Sequence, residues 1–358
     1  MAENNPMHFG FGGVRALAMV ETYGDAVELT KYAESLGYDS AWFSDSPSYR
    51  DPYSMMSVSS LNTNRISVGI AVANPYTRHP IVTARAIATV DEVSKGRAKL
   101  CMATGDMVEI LKPMGYELKT PYALVAESIT LIKKYLSNEE VTFEGKFLNV
   151  SALRLGFKTR RNIPIYVAGG APKIMESAGK VADGVLINFF NKRLIEKCKE
   201  HVRKGSESVQ RMLQKDFVLN CFGPMILVEN EVERRKVLTD LKAFIALNML
   251  LTPEKWLLEA GVKADVIETV KKNYVAGAHR DLELEKVIIK RIEHVLTDEI
   301  MDLFCIIGDK RYMSGRLEEL SGSGIQNVVI WMRGTNSTQK KEVLKRIADN
   351  LIPSFESV

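Results

Sequence analysis

Short apolar segments alternate with helical segments along this chain, and this alternation constrains its fold more than any other feature. Eight segments are predicted to be strands, at residues 7–11, 38–43, 66–72, 99–103, 163–167, 184–187, 217–222 and 328–331. Strands that alternate with helices are typical of α/β folds built on a parallel sheet. Eight repeats favour a (β/α)8 barrel, or TIM barrel, and a doubly wound sheet is the alternative.

The unit from Arg65 to Asp106 shows this pattern most clearly. Its first strand ends before Asn74-Pro75-Tyr76, because proline lacks the amide that a strand ladder needs, and Pro80 then begins a helix. The second strand ends in Thr104-Gly105-Asp106. Polar residues therefore fall just past the strand ends, where parallel α/β folds place their chemistry. No GxGxxG follows the first strand of the chain, which argues against a dinucleotide-binding Rossmann unit.

The stretch from Glu229 to about Leu303 interrupts the alternation. It is rich in Glu, Lys and Leu and is too long for a single crossover between strands. We therefore expect a helical insertion over residues 229–303, which acts as a lid or faces another subunit.

The composition excludes several classes of protein. A net charge of +4 with a pI near 8.7 is only a mild basic bias, so no binding to nucleic acid is expected. Four cysteines stand far apart, without a CxxC pair or zinc-like His/Cys spacing, which predicts no metal. Cys101, Cys221 and Cys305 lie in apolar runs, which predicts buried structural thiols. The polar start of the chain and the lack of a long apolar run predict a cytoplasmic protein without a signal peptide or membrane span.

The segment Gly169-Gly170-Ala171-Pro172 lies between a predicted strand and a predicted helix. Glycines let an anion approach the backbone, and the free amides at a helix N-terminus then bind it. Pro172 in the first helical turn costs no hydrogen bond. The segment therefore predicts a phosphate site, with a tight turn that binds nothing as the alternative; Lys173 either adds charge or faces water.

Four parts of the sequence carry a resemblance to a known family: Asn74-Pro75-Tyr76, Gly96-Arg97, Thr104-Gly105-Asp106 and the stretch from Ile163 to Asn188. They resemble the bacterial-luciferase-like flavin and deazaflavin oxidoreductases. Within that family the chain is most similar to the methylenetetrahydromethanopterin reductases, which use coenzyme F420. The likeness covers most of the chain and is weakest in the helical insertion.

The resemblance implies a single luciferase-like TIM-barrel domain over residues 1–358 and an oxidoreductase that belongs to one-carbon metabolism. Such an enzyme transfers a hydride between F420 and a small pterin-like substrate, 5,10-methylene-tetrahydromethanopterin or a related pterin or folate. A homodimer or higher homo-oligomer is also implied. An FMN-dependent monooxygenase or reductase is the alternative within this class, and a non-catalytic flavin-binding barrel is the alternative outside it.

The resemblance also assigns roles to individual residues. The residues that it implies for cofactor binding are Asp45, Ala71, Val72, Asn74, Thr104, Gly169, Gly170, Ala171 and Asn188. It places the cofactor phosphate at the glycine pair and implies a non-prolyl cis bond between Ala71 and Val72, behind the ring. Asp106 is the implied catalytic residue, because a carboxylate at the mouth of a barrel stabilises positive charge or relays a proton. Capping of the following turn or helix is the alternative role for Asp45 and for Asp106.

Two positions depart from the family pattern. Ser46 stands where many relatives have a histidine, so a mechanism that needs this histidine is excluded. Gly12 stands where the methanopterin reductases have a glutamate, which leaves the exact substrate and the proton path open.

Two further features have a predicted structural role. His79 is expected to cap the helix that begins at Pro80 rather than to bind a metal. Lys158, Arg160 and Arg161 form a basic cluster, which is either a solvated loop or a contact for an anionic cofactor tail.

Overall fold

The computed structural model describes residues 6–12, 17, 22–105, 110–117, 120–160, 162–213, 216–275, 282–332 and 337–355. Its strands are β1 His8–Gly12, β2 Ser40–Phe43, β3 Ser67–Ala73, β4 Ala98–Met102, β5 Val141–Glu144, β6 Asn149–Leu153, β7 Ile165–Ala168, β8 Gly184–Ile187, β9 Val218–Leu227, β10 Ile306–Gly308 and β11 Asn327–Trp331. Eight of these strands form a parallel barrel in the order β1-β2-β3-β4-β7-β8-β9-β11, and they match the eight predicted segments.

Strand β9 closes the barrel because it pairs on both sides. Its first residues pair with β8, where Cys221 lies opposite Ile187, and its middle residues pair with β11. Strand β11 then pairs with β1, where Trp331 lies opposite Gly12. The predicted TIM barrel is confirmed, and the closed sheet excludes the doubly wound alternative.

The helices that follow the barrel strands lie outside the barrel. They are α1 Tyr23–Ser35, α2 Pro52–Leu61, α3 Pro80–Val93, α4 Pro121–Tyr135, α5 Pro172–Val181 and α6 Lys192–Glu207. Four of them begin with proline, whose missing amide would have no partner in the first turn. His79 Nδ1 accepts the amide of Ile81 at 3.2 Å, so the predicted cap of α3 is confirmed. Thr120, the residue before Pro121 in α4, has a left-handed backbone with φ of 51°, and its side chain makes no cap bond.

The barrel interior holds its own small apolar cluster, separate from the core between strands and helices. Its buried members are Trp42, Cys101, Tyr166, Leu186 and Val329. A Cβ at Gly69 would meet the Trp42 ring at 2.5 Å, so glycine leaves the room that this large ring needs. All four cysteines are buried, which agrees with the predicted structural thiols.

A small antiparallel hairpin of β5 and β6 follows α4. The Glu127 carboxylate of α4 accepts the backbone amides of Lys146, Phe147 and Leu148 at 2.7–2.9 Å. This carboxylate therefore holds the hairpin turn against the barrel.

The predicted helical insertion contains α7 Glu231–Leu251, α8 Glu254–Glu259, α9 Ala264–Asn273, α10 Leu282–Ile292 and α11 Asp298–Met301. Strand β9 runs five residues beyond its predicted end at Phe222, because its last residues find a new partner in β10 outside the barrel. The alternation then resumes with α12 Lys310–Gly322 and ends with α13 Ser337–Asn350 and a 3₁₀ turn at Ile352–Ser354. Within the described ranges, no helix has both the length and the hydropathy to span a membrane.

Candidate active site at the barrel mouth

The predicted cofactor-binding residues lie at the carboxyl ends of five neighbouring strands, which we call the mouth of the barrel. Asp45 follows β2, Ala71 to Asn74 end β3, and Thr104 follows β4. The segment Gly169–Ala171 follows β7, and Asn188 follows β8. Because β2, β3, β4, β7 and β8 are consecutive in the barrel, these residues form one continuous side of the mouth. Asp106, the predicted catalytic residue, lies outside the described residues.

The ends of β3 and β4 meet at Asn74. The Ala71–Val72 bond is cis, as the resemblance implies, and the register with β4 shifts between Ala71 and Ala73. Asn74 is buried, and its Oδ1 accepts the amides of Tyr76 and Thr77 at 3.1 and 3.0 Å. A Cβ at Gly105, where φ is 84°, would lie 3.1 Å from Asn74 Cγ. The loop that leads to Asp106 therefore packs directly on Asn74.

At the end of β2, Ser46 is buried and its Oγ has no hydrogen-bond partner in the part of the chain that the structure describes. Burial raises the pKa of the neighbouring Asp45 carboxyl, and the positive charge of Arg78 partly opposes this rise. The cap of the next helix is Asp51, whose Oδ1 accepts the amide of Ser54 at 2.9 Å. Asp51, and not Asp45, therefore caps α2, and a role of Asp45 in the turn before this helix stays a prediction.

The glycine pair after β7 has two packing reasons to be glycine. Gly169 has φ of 148°, which side chains rarely adopt, and a Cβ at Gly170 would overlap the ring of Phe189. Ala171 is the N-cap of α5 in an extended conformation, and its methyl side chain makes no cap hydrogen bond. The amides of the residues after Pro172, namely Lys173 and Ile174, are therefore open to an anion.

Asn188 and Trp331 connect the mouth to the helical insertion. Asn188 Nδ2 donates to Asn248 Oδ1 of α7 at 3.1 Å. The Phe244 ring of the same helix stacks on Trp331, with ring centroids 4.5 Å apart and planes at 17°. Sequence reasoning did not select Phe244, Asn248 or Trp331. The position of Trp331 at the end of the eighth strand was a usable signal, whereas the two α7 residues carry no local motif.

The basic cluster before β7 is largely structural. Arg160 pairs with the buried Asp91 at the end of α3, through Nη2 to Oδ1 at 2.9 Å and Nε to Oδ2 at 3.2 Å. Arg160 is exposed in a loop, which agrees with the solvated-loop alternative, and its guanidinium is engaged by Asp91. Lys158 is exposed, and Arg161 lies outside the described residues. No group of three or more potential metal ligands occurs among the residues that are described.

Comparison with known proteins decides the family. The sequence model of the family described as "Luciferase-like monooxygenase" matches residues 7–327. The chain belongs to this luciferase-like family. It is 29% identical over 302 residues to a 5,10-methylenetetrahydromethanopterin reductase of Methanolobus tindarius, which covers 84% of this chain and 87% of the relative. A reductase of the same name from Archaeoglobus fulgidus is 28% identical and covers 91% of this chain and 94% of the relative.

A solved structure supports the luciferase-like fold. The coenzyme F420 dependent tetrahydromethanopterin reductase from Methanopyrus kandleri matches with a TM-score of 0.80 and 24% identity, over 98% of this chain and all of the other. At this identity the likeness establishes the fold alone. The resemblance inferred from the sequence motifs is thus confirmed by the family match.

The departure from the family pattern at Gly12 has a physical cause in this luciferase-like barrel. A Cβ at Gly12 would overlap the backbone oxygen of Trp42 on the neighbouring strand, so no longer side chain fits there. The open helix end at α5 and the unpartnered hydroxyl of Ser46 both suit a ligand that carries a phosphate and a polar ring. The residues present therefore fit a flavin-like or deazaflavin cofactor.

Proposed function

We propose that this luciferase-like chain is an F420-dependent oxidoreductase that reduces a methylene-tetrahydropterin, namely 5,10-methylenetetrahydromethanopterin, to its methyl form. The observation that carries the proposal is the pair of relatives with this reductase name, which match 84% and 91% of the chain. The N-terminus of α5 adds independent support, because it offers backbone amides to a ligand at the mouth.

In this proposal, coenzyme F420 supplies the hydride when it is bound. The amides of Lys173 and Ile174 bind its phosphate at the positive end of α5. Ala71 and Val72 form the apolar surface behind the ring, since both are partly exposed and pack on the interior cluster of Trp42. Asp45, Asn74, Thr104 and Asn188 supply polar contacts at the rim. The chain's main contribution is to position the two reacting carbons and to exclude water.

Asp106 acts as the catalytic carboxylate in the proposed reaction. It directly follows Gly105, which packs on the buried Asn74. A carboxylate at this place would stabilise a cationic substrate iminium or relay a proton. Position 12, at the end of β1, leaves no room for a carboxylate, so we assign the proton function to Asp106 or to Asp45, whose pKa is raised by burial.

We also propose a cytoplasmic homo-oligomer, at least a dimer, which uses neither nucleic acid nor membrane. The charge balance and the lack of an apolar span in the sequence support the last two points. Light scattering of the purified protein tests the assembly state, and a monomer would contradict it.

The decisive experiment is a titration of the purified protein with F420 and, separately, with FMN, followed by single-turnover reduction of methylene-tetrahydromethanopterin. We expect F420 to bind at micromolar concentration and the bound, reduced form to reduce the substrate. Binding of FMN alone would support the monooxygenase alternative. Binding of neither would favour a barrel without redox function and would refute the proposal.

A further inference from the structure

Helix α7 crosses the mouth on the side that the predicted cofactor residues leave free. It contacts Asn188, which follows β8, and Trp331, which ends β11. Strand β9 lies between β8 and β11 in the barrel. The C-terminal half of α7 therefore connects β8 and β11, the two barrel neighbours of β9, on the side opposite the end of β3 where Ala71 and Val72 lie.

The contact between α7 and the barrel is an aromatic pair, Phe244 and Trp331, which we call the aromatic wall. Trp331 lies two residues after Val329, so its side chain shares the inward face of β11 with a member of the interior cluster. It is 7% exposed, whereas Phe244 is only partly buried. Phe222 of β9 packs on the same interior cluster and continues the apolar surface towards β8.

One polar residue fixes this wall in place. Asn248 is 4% exposed, its Oδ1 accepts from Asn188, and its Nδ2 donates to the Phe244 carbonyl at 2.8 Å. The amide therefore has one partner on the barrel and one on its own helix, and its orientation is set by both. Asn188 is also a predicted cofactor residue, so the wall and the cofactor side of the mouth share a hydrogen bond.

We infer that Phe244 and Trp331 form the substrate side of the active site and bind the flat ring of the substrate, with Asn248 as a positioning residue. This inference rests on the proposed function, in which the ring of the cofactor lies against Ala71 and Val72. A substrate that reacts with the exposed face of that ring must occupy the space between it and the opposite side of the mouth. The residues named on that side, Phe244, Trp331, Phe222 and Asn248, are aromatic or uncharged, which suits a flat heterocycle.

The test uses Phe244→Ala and Phe244→Leu, with Val232→Ala as the control because Val232 lies on α7 and is exposed far from the wall. Three quantities are measured for each folded protein: the Kd for F420, and the KM and kcat for methylene-tetrahydromethanopterin. We expect both Phe244 variants to raise KM by about tenfold, the loss expected for a good aromatic contact, with kcat within about threefold. The Kd for F420 should stay within about twofold, and Val232→Ala should match the wild type.

Two further measurements examine the partners of Phe244. The chain has three tryptophans, and tetrahydromethanopterin added without F420 should quench the emission of the wild type but not that of Trp331→Phe. Asn248→Leu should raise KM and leave kcat within about threefold, because it removes both the acceptor for Asn188 and the donor to the Phe244 carbonyl.

Each alternative result has a distinct meaning. A wild type that binds no F420 refutes the proposed function, and this inference falls with it. If the wild type binds F420 but Phe244→Leu leaves KM unchanged, only the aromatic wall is refuted. A rise in the Kd for F420 that equals the rise in KM would place Phe244 on the cofactor, which also overturns the inference.

Discussion

A substitution of Ala171, at the open N-terminus of α5, should change the stability of the protein and its affinity for the cofactor in opposite directions. Alanine is a poor N-cap, and its backbone here is extended, with φ of −94° and ψ of 153°, which suits a capping asparagine or aspartate. Ala171→Asn would let a side-chain oxygen accept the amides that we assign to the cofactor phosphate. We therefore expect a more stable protein that binds F420 less tightly.

The two magnitudes follow from the helix end. A new N-cap contributes about 1 kcal/mol. For a chain of 358 residues this raises Tm by only about 1–2 °C, because the unfolding entropy grows with length. Loss of one charge-assisted hydrogen bond to the phosphate costs about 1.5–3 kcal/mol, or roughly ten- to a hundredfold in Kd. Ala171→Asp should weaken binding further, because its carboxylate also repels the phosphate.

The assay is calorimetric unfolding beside F420 titration of the same preparations. Lys263→Asn is the matched control, since Lys263 is an extended N-cap of α9 that likewise makes no side-chain cap bond. It should raise Tm by a similar amount and leave the Kd for F420 unchanged. If Ala171→Asn raises Tm while the Kd stays within about twofold of the wild type, these amides do not bind the phosphate.

Substitution of Gly169 or Gly170 would not show whether this loop binds the phosphate. A side chain at Gly170 would overlap Phe189, and one at Gly169 would be strained at φ of 148°. Such variants lose stability through packing and backbone strain whether or not a phosphate binds there. Ala171 has no such conflict, because it already carries a Cβ.

Three other predictions concern single side chains. Asp106→Asn should lower turnover by about 10²–10⁴-fold and leave F420 affinity nearly unchanged. Turnover within about threefold of the wild type would show that Asp106 is only a cap. Arg160→Ala should lower the free energy of unfolding by about 2–3 kcal/mol, since it leaves the buried Asp91 without its charge partner. The Kd for F420 should not change. A higher Kd would support the alternative that Arg160 contacts the cofactor. The hydrogen bond to Asp39 raises the pKa of His8, so the contact stabilises the fold below about pH 6.5 and is lost as the pH rises through the folded pKa. His8→Ala should therefore lower the free energy of unfolding by less than about 1 kcal/mol near pH 6, because His8 is half-exposed, and by a smaller amount at higher pH. An equal loss at both pH values in denaturant unfolding would contradict this prediction.

The barrel strands could be predicted because each carries its own signal. Strand β8, Gly184–Ile187, is fully buried, and strands covered on both sides read as short apolar runs. The starts of α2, α3 and α5 also carry a local signal, because each helix has a proline in its first turn, where no amide partner is lost. The end of β9 was missed because its last residues depend on β10, which lies far along the chain.

The site residues were harder to interpret than to find. Gly169 and Gly170 were selected as a phosphate loop, but their conformation and their contact with Phe189 would require glycine even without a ligand. A sequence cannot separate these two requirements, since both select the same residue. The bare N-terminus of α5 does not separate them by itself, since α4 and α9 also begin without a side-chain cap bond; the Ala171→Asn titration does.

Contacts between segments that are distant in sequence complete the mouth of the barrel. They suggest which part of the chain determines the substrate. The predicted cofactor residues all lie between Asp45 and Asn188, on loops that the barrel itself positions. Phe244 and Asn248 come from the helical insertion, which reaches the barrel through Trp331 and Asn188. Under the proposed function, the two reacting molecules are therefore held by separate parts of the chain. Substitutions in α7 would then change which substrate binds without changing cofactor binding. The Phe244 variants test this, because they should raise KM while the Kd for F420 stays the same.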